Sequence, residues 1–224
     1  MKLVIFDCDG TLVDSQHMIT AAMEHAFRTL ELAPPSRLDV LGVVGLSLPE
    51  AFRVLAAEHS ASHQTRLAEL YRDHFPLVRQ AFKDAEPLYT GVRETIAELR
   101  RRGDILGIAT GKSKRGVSRL LEREGWQGHF HTIQTADDHP SKPHPSMILQ
   151  AMAESGAAPE ATVMIGDTAF DMEMARSAGV GAVGVAWGYH AVDRLAAAGA
   201  HAIVHEGDHL LEAIEAQFRQ QVAT

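Results

Sequence analysis

The chain has 224 residues, 46% of them apolar and 22% charged, a balance that excludes a disordered or fibrous protein and allows a sizeable core. Its net charge of −8 is spread along the chain, which argues against nucleic-acid binding, since that needs basic patches. The single cysteine excludes an intrachain disulfide, and no apolar run approaches the roughly 20 residues of a membrane helix.

The first apolar run is KLVIF (2–6), cut off by Asp7. Its four apolar residues are too few for a signal peptide, so the expected location is the cytoplasm. Residues 16–85 then hold helical stripes and no convincing strand. Ile19, Met23, Ala26, Phe27 and Leu30 form one stripe, Phe52 and Leu55 a second, and Leu67, Leu70 and Tyr71 a third. Pro34, Pro35 and Pro76 read as punctuation between them. From residue 86 onward, β-branched runs alternate with helix-length patterns. The runs are DILGIAT (104–110), a weaker HTIQTAD (131–137), ATVMIGD (161–167), GAVGVAW (181–187) and HAIVH (201–205). Gly103, Gly125 and Gly156 stop the helical patterns between them. This alternation predicts an α/β fold, a Rossmann-like parallel sheet core (1–15 and 86–224) with a small all-helical domain (16–85) inserted after the first strand.

Ligands of open α/β sheets sit outside the carboxyl ends of the strands. There the sequence delivers Asp7 and Asp9, then Thr110 and Gly111, then Lys142 in DDHPSKPHP, then Asp167 with Asp171 four residues on. Strand alternation points Asp7 and Asp9 the same way and Cys8 the other. Two such carboxylates need a cation, or one must hold a proton. Both conditions suit phosphoryl transfer: one carboxylate attacks phosphorus and the other moves protons. A hard dication such as Mg2+ suits oxygen ligands. Gly10 permits a turn that brings backbone amides close to phosphate. Asp171 has three readings: a metal ligand through water, a partner for Lys142, or an acid complementing a helix N-terminus.

Together these residues resemble the haloacid dehalogenase superfamily of phosphohydrolases. DCDGTLVDS (7–15) is similar to its first motif, DxDGT. Thr110 in GIATGK is similar to the second motif, Lys142 in SKPHP to the third, and GDTAFD (166–171) to the fourth, GDxxxD. The resemblance implies Asp7 as nucleophile and metal ligand, and Asp9 as general acid/base whose backbone carbonyl also binds metal. It implies Thr110, the amide of Gly111 and Lys142 around the phosphoryl group, Asp167 on Mg2+, and residues 16–85 as a helical cap. Lys112, just after the second motif, is similar to a lysine of the phosphoglycolate phosphatase-like group and joins the phosphate-binding set. Asp9 argues against dehalogenation. With Lys83 the only lysine of 16–85, and Asp9 where the phosphonoacetaldehyde hydrolases keep a small residue, a Schiff base is disfavoured.

Three near-motifs read otherwise. GIATGKS (107–113) is one residue short of a phosphate-binding P-loop. GVGAVG (179–184) has its helix before the glycines and its strand after, the reverse of a dinucleotide site. HEGDH (205–209) has a glycine inside it and reads as a strand-to-helix turn capped by Asp208. Arg28, Arg37, Arg53, Arg66, Arg72 and Arg79 of the insert are solvated, or meet a second anion of the substrate. The expected function is a Mg2+-dependent phosphatase of small phosphorylated metabolites, acting as monomer or homodimer without nucleic-acid or membrane partners. A phosphomutase of sugar phosphates is the alternative, and a non-catalytic phosphometabolite-binding protein the reading from outside enzymology.

Overall fold

The computed structural model describes residues 1–82 and 86–222. Six parallel strands form one sheet: β1 (Leu3–Phe6), β2 (Ile105–Thr110), β3 (Thr132–Thr135), β4 (Thr162–Gly166), β5 (Gly181–Val185) and β6 (Ala202–Val204). Their order is β3-β2-β1-β4-β5-β6. The chain runs outward from β1 through β2 to β3, then crosses back to β4 on the other side of β1. The topological switch point therefore lies between β1 and β4. Phe6 pairs with Ile165 in that ladder, so Asp7 and Asp167 leave adjacent strands at almost the same height.

The inner strands β1, β2, β4 and β5 are largely apolar because both their faces are covered, whereas the edge strand β3 reads TIQT. Val4, Phe6, Leu106, Ile108, Val163 and Ile165 face one core. It is closed by α5 (Val92–Arg101), α6 (Lys114–Glu124) and α10 (Leu210–Val222). Leu3, Ile5, Met164 and Ala182 face the other. It is closed by α7 (Ser146–Ser155), α8 (Ala169–Ala178) and α9 (Val192–Ala197). Gly125, Gly156 and Gly179 each end a helix in the left-handed conformation that spares a side chain its steric cost. GVGAVG is thus a helix stop leading into β5. Gly107 lies inside β2, so the first four residues of GIATGKS are strand and only Gly111–Ser113 form the link to α6.

Between β1 and α5 the chain builds α1 (Gln16–Thr29), α2 (Arg37–Leu41), α3 (Leu48–Leu55) and α4 (Ala61–Ala81). Ile19, Met23, Phe27, Val40, Phe52 and Leu67 bury into a core of their own. Two details differ from the sequence reading. The single-turn helix α2 has too few residues for a periodic stripe. Pro76 does not break the chain but lies inside α4. Proline acts locally, by withholding one N–H. Packing of Val78 against Met18 and Ala22 of α1 carries α4 past it. Lys83 and the end of the expected insert lie outside the described residues. No helix among the described residues is long and apolar enough to cross a membrane. HEGDH begins after β6 and continues as a 3-10 turn, Gly207–His209, that has no side-chain cap. Asp208 does not play the capping role expected of it there.

Candidate active site

Asp7 follows the last residue of β1 and is fully buried. Its Oδ1 accepts a hydrogen bond from the Cys8 amide at 2.7 Å. Its Oδ2 lies 3.0 Å from Lys142 Nζ and has no other partner among the described residues. Asp167 emerges after β4, pinned by the Thr11 hydroxyl on Oδ1 at 2.7 Å and by the Tyr189 amide on Oδ2 at 2.9 Å. Asp171 sits in the first turn of α8. Its Oδ2 accepts from the amide and hydroxyl of Thr168, completing a capping box. Its Oδ1 accepts from Lys142 Nζ at 2.6 Å. Asp171 therefore caps its helix and holds Lys142 at once. Lys142 itself is 1% exposed, reached by a loop whose Lys142–Pro143 peptide is cis.

Three buried carboxylates thus meet here, and two of them, Asp7 and Asp171, hold one ammonium. One oxygen from each of Asp7, Asp167 and Asp171 lies within 4.8 Å of the others. Burial pushes the Asp7 carboxyl up to about 6, with Lys142 pulling it back and Asp171 adding to the rise. Burial, then the neighbouring Asp171 and Asp7, push Asp167 well above the ordinary carboxylate range. Burial works to lower Lys142, but Asp171 and Asp7 outweigh it and keep the ammonium charged. The donor set is all oxygen, the negative charge is in excess, and beyond the Lys142 ammonium the buried Asp7 Oδ2 has no hydrogen-bond partner among the described residues. These features fit a hard divalent cation.

The backbone closes tightly around Asp167. A Cβ at Gly10, where φ is +85°, would lie 2.2 Å from Asp167 Oδ2, and one at Gly188 would lie 2.1 Å from Asp167 Cβ. Gly10→Ala is expected to lose most activity and to destabilise the fold by about 1–3 kcal/mol, the scale of a strained backbone position. Steady-state kinetics and urea unfolding check this; a wild-type rate in the variant counts against the cradle.

Asp9 belongs to a different set of contacts. β1 ends at Phe6, so strand alternation does not govern residues 7–9. The Asp9 side chain stands apart from the three-carboxylate cluster, and its Oδ1 accepts from Ser15 Oγ at 2.6 Å and Lys112 Nζ at 2.7 Å. Lys112, expected on phosphate, is engaged with Asp9 and with Glu86 Oε1 at 3.0 Å. Burial works to lower its ammonium, but Asp9 and Glu86 outweigh it. Cys8 is buried between the two aspartates, and burial pushes its thiol far up, so it is no nucleophile.

Asp7, Asp9, Thr110, Gly111 and Lys112 floor a cavity of about 910 Å³. Its far wall is mostly apolar and comes from the helical insert, with Met23, Val44, Leu46, Tyr71 and Phe75 facing in. The loop between α2 and α3 reaches down to the sheet edge. The Ser47 amide donates to Ser141 Oγ at 2.8 Å, and His190 Nε2 lies 3.2 Å from the Gly42 carbonyl. A Cβ at Gly111 would lie 2.7 Å from the carbonyl oxygens of both Gly45 and Leu46. Of the arginines singled out, Arg28, Arg53 and Arg66 pair with Glu24, Glu50 and Glu69 on exposed faces, and Arg37 bonds Gln16. Arg72 and Arg79 line the cavity.

Sequence reasoning missed Thr11, Ser15, Glu86, Tyr189 and His190. Thr11 and Ser15 lie within the DCDGTLVDS stretch and were within its reach. The other three meet the site only through tertiary folding.

The switch-point sheet thus carries an acidic, lysine-bearing carboxyl edge beneath a helical insert that follows its first strand. A family model described as haloacid dehalogenase-like hydrolase matches residues 4–185, and the chain belongs to that family. It is 39% identical over 206 residues to a probable phosphatase, IndB, of Dickeya dadantii, covering 90% of this chain and 88% of that one. It is 34% identical over 189 residues to the pyrophosphatase PpaX of Oceanobacillus iheyensis, covering 84% of each. The crystal structure of a predicted phosphatase from Clostridium acetobutylicum matches with a TM-score of 0.85 at 26% identity, covering 96% of this chain and 98% of that one. Within the family the chain is a hydrolase of the phosphatase kind.

Proposed function

We propose that the protein is a Mg2+-dependent phosphatase of small phosphorylated metabolites, acting in the cytoplasm through a phosphorylated Asp7. The observation that carries this reading is the buried meeting of Asp7, Asp167 and Asp171, with Lys142 paired to Asp7 and Asp171, beside a cavity that Asp7 and Asp9 line. An Asp7 carboxylate oxygen attacks phosphorus, and the bond to the ester oxygen breaks. Asp9 gives its proton to that oxygen as the alcohol leaves. Water then attacks the acyl phosphate, Asp9 takes the proton, and phosphate and free Asp7 are restored. Lys142, and Thr110 with the Gly111 amide, steady the phosphoryl oxygens. Asp7, Asp167 and the Asp9 carbonyl, with Asp171 at hand, would hold Mg2+, which would supply positive charge to offset the carboxylates and the phosphoryl group. The four-helix insert acts as a cap that shapes the cavity and excludes bulk water. Its apolar wall suits esters with a carbon body, while Arg72 at the rim suits a second anion.

The test is a hydrolysis screen with and without Mg2+ over phosphorylated acids, sugar phosphates, nucleotides and pyrophosphate, the last suggested by the name of one relative. Release of inorganic phosphate that depends on Mg2+ is the expected result. Isomerised sugar phosphate without free phosphate identifies a mutase instead. Binding without turnover identifies a phosphometabolite-binding protein.

A further inference from the structure

A chain of charges runs from Arg123 on α6, at the surface, inward to Asp9. Arg123 Nη1 lies 3.2 Å from Glu86 Oε2, and its Nη2 donates to the Glu86 carbonyl at 2.8 Å. Glu86 Oε1 accepts from Lys112 Nζ at 3.0 Å, and Lys112 Nζ donates onward to Asp9 Oδ1 at 2.7 Å. The side chains of Lys112 and Glu86 are only 10% and 7% exposed. Ser15 donates to the same Asp9 oxygen, Oδ1. Both donors therefore hold one edge of the carboxylate, while Oδ2 has no protein partner among the described residues and Asp9 faces the cavity.

A lysine ammonium is a point charge on a four-carbon stem and turns readily toward any stronger anion. A substrate phosphate entering the cavity is such an anion. Glu86 opposes that turn, because its buried Oε1 would lose the Lys112 ammonium and keep only Arg123 on its other oxygen. Resting on the phospho-Asp7 reading, we propose that Glu86 and Lys112 are a positioning pair for Asp9: Glu86 keeps Lys112 on Oδ1, which aims Oδ2 at the leaving oxygen. Lys112 then serves proton transfer rather than phosphate binding. The simpler alternative is that the pair only neutralises buried charge.

The two roles separate by leaving group. Proton donation matters most when the departing oxygen is basic, so a misaimed Asp9 penalises poor leaving groups selectively. The probes are 4-nitrophenyl, phenyl and 4-methoxyphenyl phosphate, whose departing phenols grow more basic in that order. In Glu86→Gln, kcat/KM is expected to fall about tenfold for the last two and about twofold for the first, part of the roughly 10²–10⁴-fold that general acid catalysis supplies. Lys112→Met is expected to show the same ordering more strongly, and adding Glu86→Gln to it is expected to cost nothing further. Equal losses across the three esters, or full additivity of the two substitutions, overturns the proposal. Equal losses in Lys112→Met point to phosphate binding instead. If Glu86→Gln does not fold, Arg123→Gln loosens Glu86 from its other side and is read by the same ratio. Wild-type turnover of 4-nitrophenyl phosphate that Asp7→Asn abolishes is the control. Its failure sinks the phosphatase reading, whereas a flat leaving-group ratio sinks only the positioning pair.

Discussion

Asp7→Asn is expected to lower turnover of 4-nitrophenyl phosphate by roughly 10⁴-fold or more, the scale on which losing a covalent nucleophile acts. The same substitution is expected to raise the melting temperature of the metal-free protein. The sign follows from the site. The folded Asp7 carboxyl titrates at about 6 against an ordinary value of 3.8, chiefly because of burial. A carboxyl raised in this way favours the fold while protonated, and the benefit is lost as pH rises through about 6. At neutral pH the ionised group therefore costs stability, and an uncharged amide of the same shape removes the cost. Lys142 keeps its 2.6 Å bond to Asp171 throughout. Opposite movement of activity and stability is the pattern of a site held in strain for chemistry. Mass spectrometry of the quenched wild-type enzyme is expected to find phosphate on Asp7 alone. Near-wild-type turnover in Asp7→Asn rejects the covalent route.

The sheet and its acidic edge were legible because their signals are local. A buried parallel strand must be apolar on both faces, so KLVIF and ATVMIGD announce themselves, and the first polar residue after each run marks the carboxyl edge. Asp7, Thr110 and Asp167 were found that way. Gly125, Gly156 and Gly179 were legible because few other residues tolerate the left-handed stop they form. Two kinds of feature were not legible. Pro76 read as a break because proline's effect on its own turn is unfavourable, whereas α4 persists through contacts made elsewhere along it. The partners of Asp9 were hidden for a second reason. Lys112 lies 103 residues away and Glu86 a further 26 from Lys112, and no periodicity links separate loops. Lys112 was expected on phosphate, but sequence cannot say which of several neighbouring anions such a cation will hold.

Asp167 offers the sharpest test of the cation, because its effect is readable without turnover. Both its oxygens are fixed by protein donors, Thr11 and the Tyr189 amide, so Asp167→Asn leaves a side chain of the same shape in a prepared place. A cation that binds the folded state alone stabilises it by mass action, about 2.7 kcal/mol at a hundredfold excess over Kd. Wild-type protein is therefore expected to melt several degrees higher in Mg2+ than in chelator, and to regain full activity when Mg2+ is returned. In Asp167→Asn the cluster has one carboxylate fewer, and that Mg2+-dependent rise is expected to shrink to near zero. The metal-free variant is expected to melt above the metal-free wild type, because burial and the neighbouring Asp171 and Asp7 disfavour the ionised Asp167 carboxyl. Turnover by the variant is expected to drop about 10²–10³-fold, the size of losing one preorganised electrostatic partner of a transition state. A Mg2+-independent melting curve in the wild type, joined to activity that survives chelation, removes the cation from the chemistry and leaves Lys142, on Asp7 and Asp171, to offset the cluster.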